Sequence, residues 1–449
     1  MTPRRVIVVG GGLAGLATAV TVAEAGTPVT LVESTTHGGG RARSYFDRGF
    51  RREIDNGQHV VMGCYRETHR FLQRLGIDRH AVIKYQRNLT LDLVRTGGTR
   101  VTFRCPALPA PLHLAAGLVA MRNVGLTPKL AAMRMGLAIR EEVRRPNDDE
   151  TCDAWLHRLG QGPKIRAVFW DPLIWSVLNN DPLVASAAML LAVIERAFMS
   201  TRDASCLGVP MVPLSQVYVG RGLTFLREHH ADLRLGQRAI EVLVQGDRVA
   251  GVRLKDGSTI QGDAVVLAVP HPALASLLPD ALARQRAYRG LEGLTASPIV
   301  NLWATVDRSP FAGRPFVGLI GSPLHWIFDR DHIEQTPASP GNGVLLSTTM
   351  SGARAFVDDD HRALQALFLH EAQRYFPRTP ISVRHFRAIK EKRATISHAA
   401  GTYALRPETR TPLDGLFLAG DWVKTGLPAT IESAAQSGHQ AAAAVLGRQ

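Results

Sequence analysis

Residues 4–33 read RRVIVVGGGLAGLATAVTVAEAGTPVTLVE, and their interpretation decides the fold. Val6, Ile7, Val8 and Val9 are a β-branched run that stops at Gly10, Gly11 and Gly12, the pattern of a buried parallel strand entering a tight turn. Leu13 to Ala25 is rich in Ala, Leu and Val without proline and predicts a helix, closed by Gly26 at the position of a left-handed cap. Val29 to Val32 predict a second strand, with Glu33 at its carboxyl end. The result is a βαβ unit with dinucleotide-binding spacing. Gly10 allows the turn, Gly12 lets backbone approach a pyrophosphate, and Gly15 lets helix and strand pack closely, while N–H groups of the first helical turn, around Leu13 and Ala14, face the phosphates. Glu33, about twenty residues further on, can accept from a ribose and repel a 2′-phosphate.

Beyond this unit, His37-Gly38-Gly39-Gly40-Arg41-Ala42-Arg43 is a glycine-rich loop ending in arginines, suited to phosphates through bidentate guanidinium contacts. Asp55-Asn56-Gly57-Gln58-His59 then stands before the apolar Val60-Val61-Met62. This pattern fits a turn beside a ligand and equally a plain β-turn.

The chain's 449 residues suggest two domains, and 45% hydrophobic with 20% charged residues exclude a disordered protein. The net charge of +14 admits nucleic acid, an anionic membrane surface or a generally basic proteome. The basic residues are scattered, with no zinc-finger or RNP pattern, so nucleic acid is discounted and a membrane surface is the better partner. Cys64, Cys105, Cys152 and Cys206 show no CxxC or metal-ligand spacing; no metal is expected, and they read as buried thiols of a reducing cytoplasm. The nucleotide-binding unit starts at once, leaving no room for a cleaved signal, and no window has the ~18 uninterrupted apolar residues of a spanning helix. The expected location is cytoplasmic, peripheral at most to the inner face of the cell membrane.

A helical pattern begins near Arg66, and 89–103 reads as a hairpin around Gly97-Gly98. Residues 106–140 hold a proline-rich stretch and two apolar segments, 112–121 and 130–139, with Arg122, Lys129 and Arg134 interspersed. They read either as an interfacial hairpin dipping into a leaflet or as a helical pair over an apolar pocket. Residues 151–205 look helical and supply a second core, 213–225 reads as a loop entering a helix, and 238–244, 249–254 and 264–269 read as strands. The last is a buried strand returning to the first sheet. Later come strands at 299–305 and 344–350, an amphipathic helix at 360–375, and a charged cluster, Lys390 to Arg393. Gly415 to Trp422 repeats the strand-into-glycine design before a small-residue helix that follows Pro428.

With both ends in hand, the chain resembles the two-domain FAD oxidoreductases of the phytoene desaturase and flavin amine oxidase superfamily. Within it, the chain resembles the squalene-associated FAD-dependent desaturases, the hydroxysqualene dehydroxylases of bacterial hopanoid synthesis. The finer resemblance rests on Asp55 to His59 with Gly63-Cys64-Tyr65, Asp171-Pro172-Leu173 with Leu178-Asn179, Glu391 to Thr395, Gly420-Asp421-Trp422 and Thr425 to Glu432. Val423 stands where Thr is common in that family, and Ser433 where Gly is common. The resemblance implies an α/β fold, a Rossmann-type FAD-binding domain interleaved with an α+β substrate domain. The expected division is 1–75, 206–275 and 411–449 for FAD, and 76–205 with 276–410 for substrate.

The resemblance also implies FAD contacts at Gly10, Gly12, Leu13, Ala14, Gly15, Glu33, Gly39, Gly40, Arg41, Arg43, Gly57, Gln58, His59, Ile240, Val242, Gly420, Asp421, Ala429, Thr430 and Ile431. Arg41 and Arg43 are expected at the phosphates, and Asp421 at a ribityl hydroxyl or a phosphate-bound water. The implied reaction is reduction of hydroxysqualene, a polyisoprenoid allylic alcohol, to squalene by hydride transfer from reduced FAD with loss of water, in an apolar tunnel that excludes water. Hydroxide leaves poorly, so an acid is needed, and His59 and Glu391 are the candidates. His59 alternatively only orients a backbone loop, and Glu391 alternatively pairs with Lys392 or Arg393. Rival readings are a carotenoid or phytoene desaturase, a flavin amine oxidase, and a non-enzymatic FAD-stabilised prenyl-lipid carrier or scaffold.

Overall fold

A computed structural model describes residues 5–285, 288, 290–311, 313–336 and 343–448. Its central feature is a five-stranded sheet in the order Asp232–Leu235, Val29–Glu33, Val6–Val9, Ala264–Leu267, Leu416–Leu418. Every neighbouring pair is parallel, with Val6 opposite Val29 and Val266 opposite both Val8 and Phe417. Strands buried on both faces need apolar residues in succession, and Val6 to Val9 supply them. Val6 and Val8 face helix Leu13–Glu24 and helix Ile431–Val445, while Ile7 and Val9 face Val242, Val249, Val252 and Leu254. These last residues lie on a three-stranded antiparallel sheet, Ala239–Gln245, Arg248–Leu254 and Thr259–Gln261. The two helices touch through small residues: a Cβ on Gly438 would collide with the Ala14 carbonyl, and Thr18 Oγ1 donates to the Gly438 carbonyl at 3.0 Å.

The segment read as a loop, 213–225, is helical from Ser215. A wide helical turn, Ser215–Gly220, runs directly into helix Arg221–Glu228. Leu214, Val217, Tyr218 and Leu223 enter the first core from it, so tertiary burial outweighs the weak local propensity of a Gly- and Val-containing stretch.

A seven-stranded sheet forms the second layer, ordered Val383–Ile396, Ala296–Val306, Val344–Ser351, Trp326–Asp329, Phe316–Leu319, Thr90–Val94, Arg100–Arg104. Period-two alternation sorts its faces. Val300, Leu302 and Ala304 pack on Leu364 and Phe368 of helix His361–Tyr375, which leaves Asn301 and Trp303 on the opposite face. Glu391, paired with Ile299 in the neighbouring strand, lies beside Asn301. The charged cluster Lys390 to Arg393 is part of a 14-residue strand.

A helical layer made mainly from residues 112–198 closes the molecule. Helices Leu112–Ala120 and Leu126–Ala138 turn His113, Leu118, Ala132 and Met135 inward onto a core with Trp155, Trp170 and Leu190. Their outer side stays apolar and open: Leu112, Val119, Leu126 and Leu137 are each at least 60% exposed. The covering pair and the exposed apolar face are two sides of one hairpin. Among the described residues, no helix is long and apolar enough to cross a membrane. Cys64, Cys105, Cys152 and Cys206 are buried and free.

Candidate cofactor and active site

Helix Leu13–Glu24 begins at Gly12 with no side chain capping its N–H groups, so its first turn presents donors that the helix itself cannot satisfy. Gly10 has φ +108°, and a Cβ there would strike the Ala268 carbonyl; a Cβ on Gly15 would strike the Gly10 carbonyl. A Cβ on Gly12 would meet nothing within 4 Å. The first and third glycines thus hold the turn together, and the middle one keeps a space clear. Gly39 lies against this turn, its N–H donating to the Gly11 carbonyl at 2.8 Å. Glu33 accepts from Gly11 N at 2.7 Å through Oε2, and from Thr35 N at 2.8 Å, Thr35 Oγ1 at 3.0 Å and Ser34 Oγ at 3.1 Å through Oε1, which fixes the carboxylate and leaves Oε2 as the oxygen with room for a further donor.

The two arginines separate. Arg41 donates to Asp421 Oδ1 at 2.7 Å and to the Ala394 carbonyl at 2.6 Å, whereas Arg43 lies 3.1 Å from His37 Nε2 on the exposed side. The Asp421 carboxylate, foremost, holds the Arg41 guanidinium still more firmly protonated than usual, although burial opposes it. Ile240 falls at a register slip between Ala239 and Glu241 and is 40% exposed, while Val242 is turned into the core with its N–H given to Leu277 at 3.1 Å.

The carboxyl-terminal residues expected at FAD lie in the turn after strand Leu416–Leu418 and at the start of helix Ile431–Val445. Gly420 N donates to Ser437 Oγ at 2.9 Å, and Thr430 caps helix Ile431–Val445 by accepting from Ser433 N at 3.2 Å. Ser433, where glycine is common among the family resembled, bonds Thr425 Oγ1 at 2.7 Å and so ties this turn to the helix. Val423 is fully buried and apolar.

Each residue of the 55–59 loop is held from behind. Asp55 accepts from Ser44 Oγ at 2.6 Å and Leu214 N at 2.9 Å; Asn56 Nδ2 donates to Glu391 Oε2 at 3.3 Å. A Cβ on Gly57 would meet the Asn301 amide at 2.7 Å, and Gln58 Oε1 accepts from Arg330 at 3.0 Å. Arg330 is in turn bonded to Glu334 at 2.7 Å, and Glu334 also pairs with Arg52. His59 Nδ1 meets the Gly57 carbonyl at 2.8 Å, which fixes Nδ1 as the protonated nitrogen of the neutral ring. Burial lowers the His59 pKa below the usual histidine range, against the Gly57 bond and the nearby Asp55. Burial also raises the Asp55 pKa, against Arg330. His59 and Glu391 are thus brought to one loop through Asn56. The supporting side chains Asn301, Arg330 and Ser437 are found only in three dimensions, since no motif links them to the residues they hold.

A parallel nucleotide-binding sheet, an uncapped helix start with a cleared Gly12, a fixed ribose-type carboxylate and a second glycine turn at the far end of the chain define an FAD-dependent oxidoreductase. The chain belongs to the family of flavin containing amine oxidoreductases, whose profile matches residues 13–446. It is 29% identical to a hydroxysqualene dehydroxylase of Rhodopseudomonas palustris over 461 residues, covering 99% of this chain and 98% of that one. It is 26% identical to a zeta-carotene desaturase of Synechocystis, covering 99% and 98%. A putrescine oxidase structure superposes with a TM-score of 0.75 at 15% identity, covering 99% of each chain.

The residues present fit FAD. Gly12 leaves open space at the turn, the uncapped helix start supplies donors, and Glu33 offers a carboxylate fixed by the Gly11 and Thr35 N–H groups at the end of the second strand.

Proposed function

We propose that this oxidoreductase reduces hydroxysqualene to squalene. The observation carrying the reading is the end-to-end similarity to a hydroxysqualene dehydroxylase, supported by the sequence patterns at 55–59, 391–395 and 425–432. In the proposed reaction the allylic C–O bond breaks, the oxygen leaves as water after protonation, and the carbon takes a hydride. Bound FAD, when reduced, supplies that hydride.

The chain's own groups hold and protonate. We assign the proton donor to Glu391, oriented by Asn56 Nδ2. His59, neutral and with its Nδ1–H committed to Gly57, is better suited to bracing the loop than to giving up a proton. Gly10, Gly12, Leu13, Ala14, Gly15, Gly39 and Gly40 are assigned to the diphosphate, and Glu33 to the ribose. Gly57, Gln58, Gly420, Asp421, Ala429, Thr430 and Ile431 are assigned to the flavin side, and Arg41 to joining the two ends through Asp421. Arg43, directed at His37, is assigned at most an outer phosphate contact. Residues 1–75, 206–275 and 411–449 form the proposed FAD-binding part, with the remainder facing substrate. We further propose that the exposed apolar face of 112–138, flanked by Arg122, Lys129 and Arg134, rests on an anionic membrane surface from which the lipid enters.

An anaerobic single turnover tests the reaction. Photoreduced protein mixed with hydroxysqualene should return the oxidised flavin spectrum and yield an equal amount of squalene. The full-length similarity to a zeta-carotene desaturase supports a second reading, in which a carotene reduces the flavin instead. Photoreduced flavin that stays reduced with hydroxysqualene, together with oxidised flavin that a carotene reduces in a parallel cuvette, would replace the first reading with the second.

A further inference from the structure

The turn 426–429, which leads into the proposed contacts Ala429, Thr430 and Ile431, is held by three side chains from one short segment. Tyr403 OH accepts from Gly426 N at 2.9 Å, Arg406 Nη1 donates to the Leu427 carbonyl at 2.8 Å, and His398 Nε2 accepts from Ala429 N at 2.6 Å. Each bond is chemically specific. His398 Nδ1 meets the Leu178 carbonyl at 2.7 Å, so the ring proton sits on Nδ1 and Nε2 is free to accept. Burial, foremost, and the neighbouring Arg406 push the His398 pKa down to about 3, so the ring stays neutral in ordinary buffers.

Arg406 is 2% exposed, lies 5.1 Å from the centroid of the Tyr403 ring, and has its pKa pushed down to about 10 by burial. Its Nε and Nη2 have no hydrogen-bond partner among the described residues and are sealed from the surface, so they are not ligand donors. A buried cation with unmet donors is costly, and the bonded contact it makes here is to the turn. His398 also spans two layers: Leu178 ends a helix of the helical layer, and Ser186 N donates to the His398 carbonyl at 2.7 Å.

We propose that His398, Tyr403 and Arg406 are positioning residues that set how the 426–431 segment meets FAD, with His398 fastening that segment to the helical layer. The inference rests on assigning Ala429 to Ile431 to the cofactor. None of the three side chains needs to touch the flavin; each acts through a backbone group.

The test uses purified holoenzyme carrying Tyr403→Phe, His398→Leu, Arg406→Met or Arg406→Lys, with Thr430→Val as a probe of the segment itself. The readouts are FAD dissociation, followed by the fluorescence of released flavin, the flavin midpoint potential, and thermal unfolding. Loss of one such bond should weaken FAD about tenfold, the equivalent of ~1.4 kcal/mol, and shift the potential. Arg406→Lys should recover most of what Arg406→Met loses. Tyr403→Phe removes only an oxygen, so it keeps the test decisive if His398→Leu fails to fold. If Thr430→Val weakens FAD while folded Tyr403→Phe and Arg406→Met match wild type in affinity and potential, the positioning role is overturned. If Thr430→Val also matches wild type, the segment is not a cofactor contact and the inference falls with that assignment.

Discussion

Arg41 and Asp421 lie 380 positions apart in the chain and meet at 2.7 Å, closing the glycine turn of the amino-terminal unit onto the glycine turn of the carboxyl-terminal one. Asp421 is almost fully buried and Arg41 is about two-fifths exposed, so solvent screens the pair in part. Arg41→Ala and Asp421→Asn should each weaken FAD retention. In a double-mutant cycle on FAD affinity they should couple by ~1 kcal/mol, less than a fully buried pair would give. Additive effects would mean that the two turns are held together by other contacts.

The glycines separate folding from binding. Gly15→Ala places a Cβ onto the Gly10 carbonyl and should yield little folded protein. Gly12→Ala meets open space, so the protein should fold with at most ~1 kcal/mol lost through the poorer helix cap. Its FAD affinity should nonetheless fall at least about tenfold if Gly12 holds the diphosphate as proposed, because the new methyl would then stand between backbone and phosphate. Thermal unfolding without added flavin and flavin titration check the two halves separately.

Much of this was legible from residues 4–33 and 415–434, because nucleotide-binding turns are local: glycine spacing, strand and helix follow one another in sequence. What the sequence concealed is non-local. Nothing near Gln58 signals Arg330, and nothing near Ala429 signals His398; each pair is made by strands and turns that converge only in the folded chain. The helical start at Ser215 was hidden for a related reason, since its side chains become helical by burial against the first core and not by propensity. Arg41 and Arg43 look equivalent in sequence, and only the fold separates a buried partner at Asp421 from an exposed one at His37.

Glu391→Gln should lower the single-turnover rate by roughly 10²- to 10⁴-fold, the usual worth of a positioned acid, while leaving bound FAD in place. His59→Gln should cost far less, since its bond to Gly57 braces a loop that Asp55, Asn56 and Gln58 also hold. Stopped-flow measurement of flavin reoxidation distinguishes the two, and equal losses would restore His59 as a candidate acid.

Acid should destabilise the protein through its buried imidazoles. Burial pushes the His325 pKa down to about 4, from 6.5 for the unperturbed group. As pH falls through 6.5 the unfolded chain binds protons that the native state refuses, so stability drops continuously towards pH 4. Asp55 and Glu432, raised by burial, act in the opposite sense, because the native state takes up their protons above the ordinary carboxyl range. His325 is stacked on Trp175 at 5.0 Å and accepts from Ser351 N at 3.0 Å. His325→Phe keeps the stack and loses the acceptor. It should therefore be less stable at pH 7, by ~1 kcal/mol, yet lose less stability than wild type between pH 7 and pH 5. Thermal unfolding at the two pH values measures this, and parallel losses would exclude His325 as a source of the acid limb.

The hairpin of helices Leu112–Ala120 and Leu126–Ala138 leads to a prediction about membranes. Leu126 and Leu137 are 72% and 66% exposed, so replacing both with Ser should leave the fold within ~0.5 kcal/mol of wild type. Each leucine buried in a lipid surface would contribute ~1.5–3 kcal/mol, so the double variant should bind vesicles at least about a hundredfold more weakly. The basic residues beside them add an electrostatic part that salt screens within a Debye length of ~10 Å at 0.1 M. Wild type should then float with vesicles containing anionic lipid, float less at high salt, and float less still when both leucines are gone. Flotation indifferent to the leucines, to lipid charge and to salt would leave this apolar face without a membrane role.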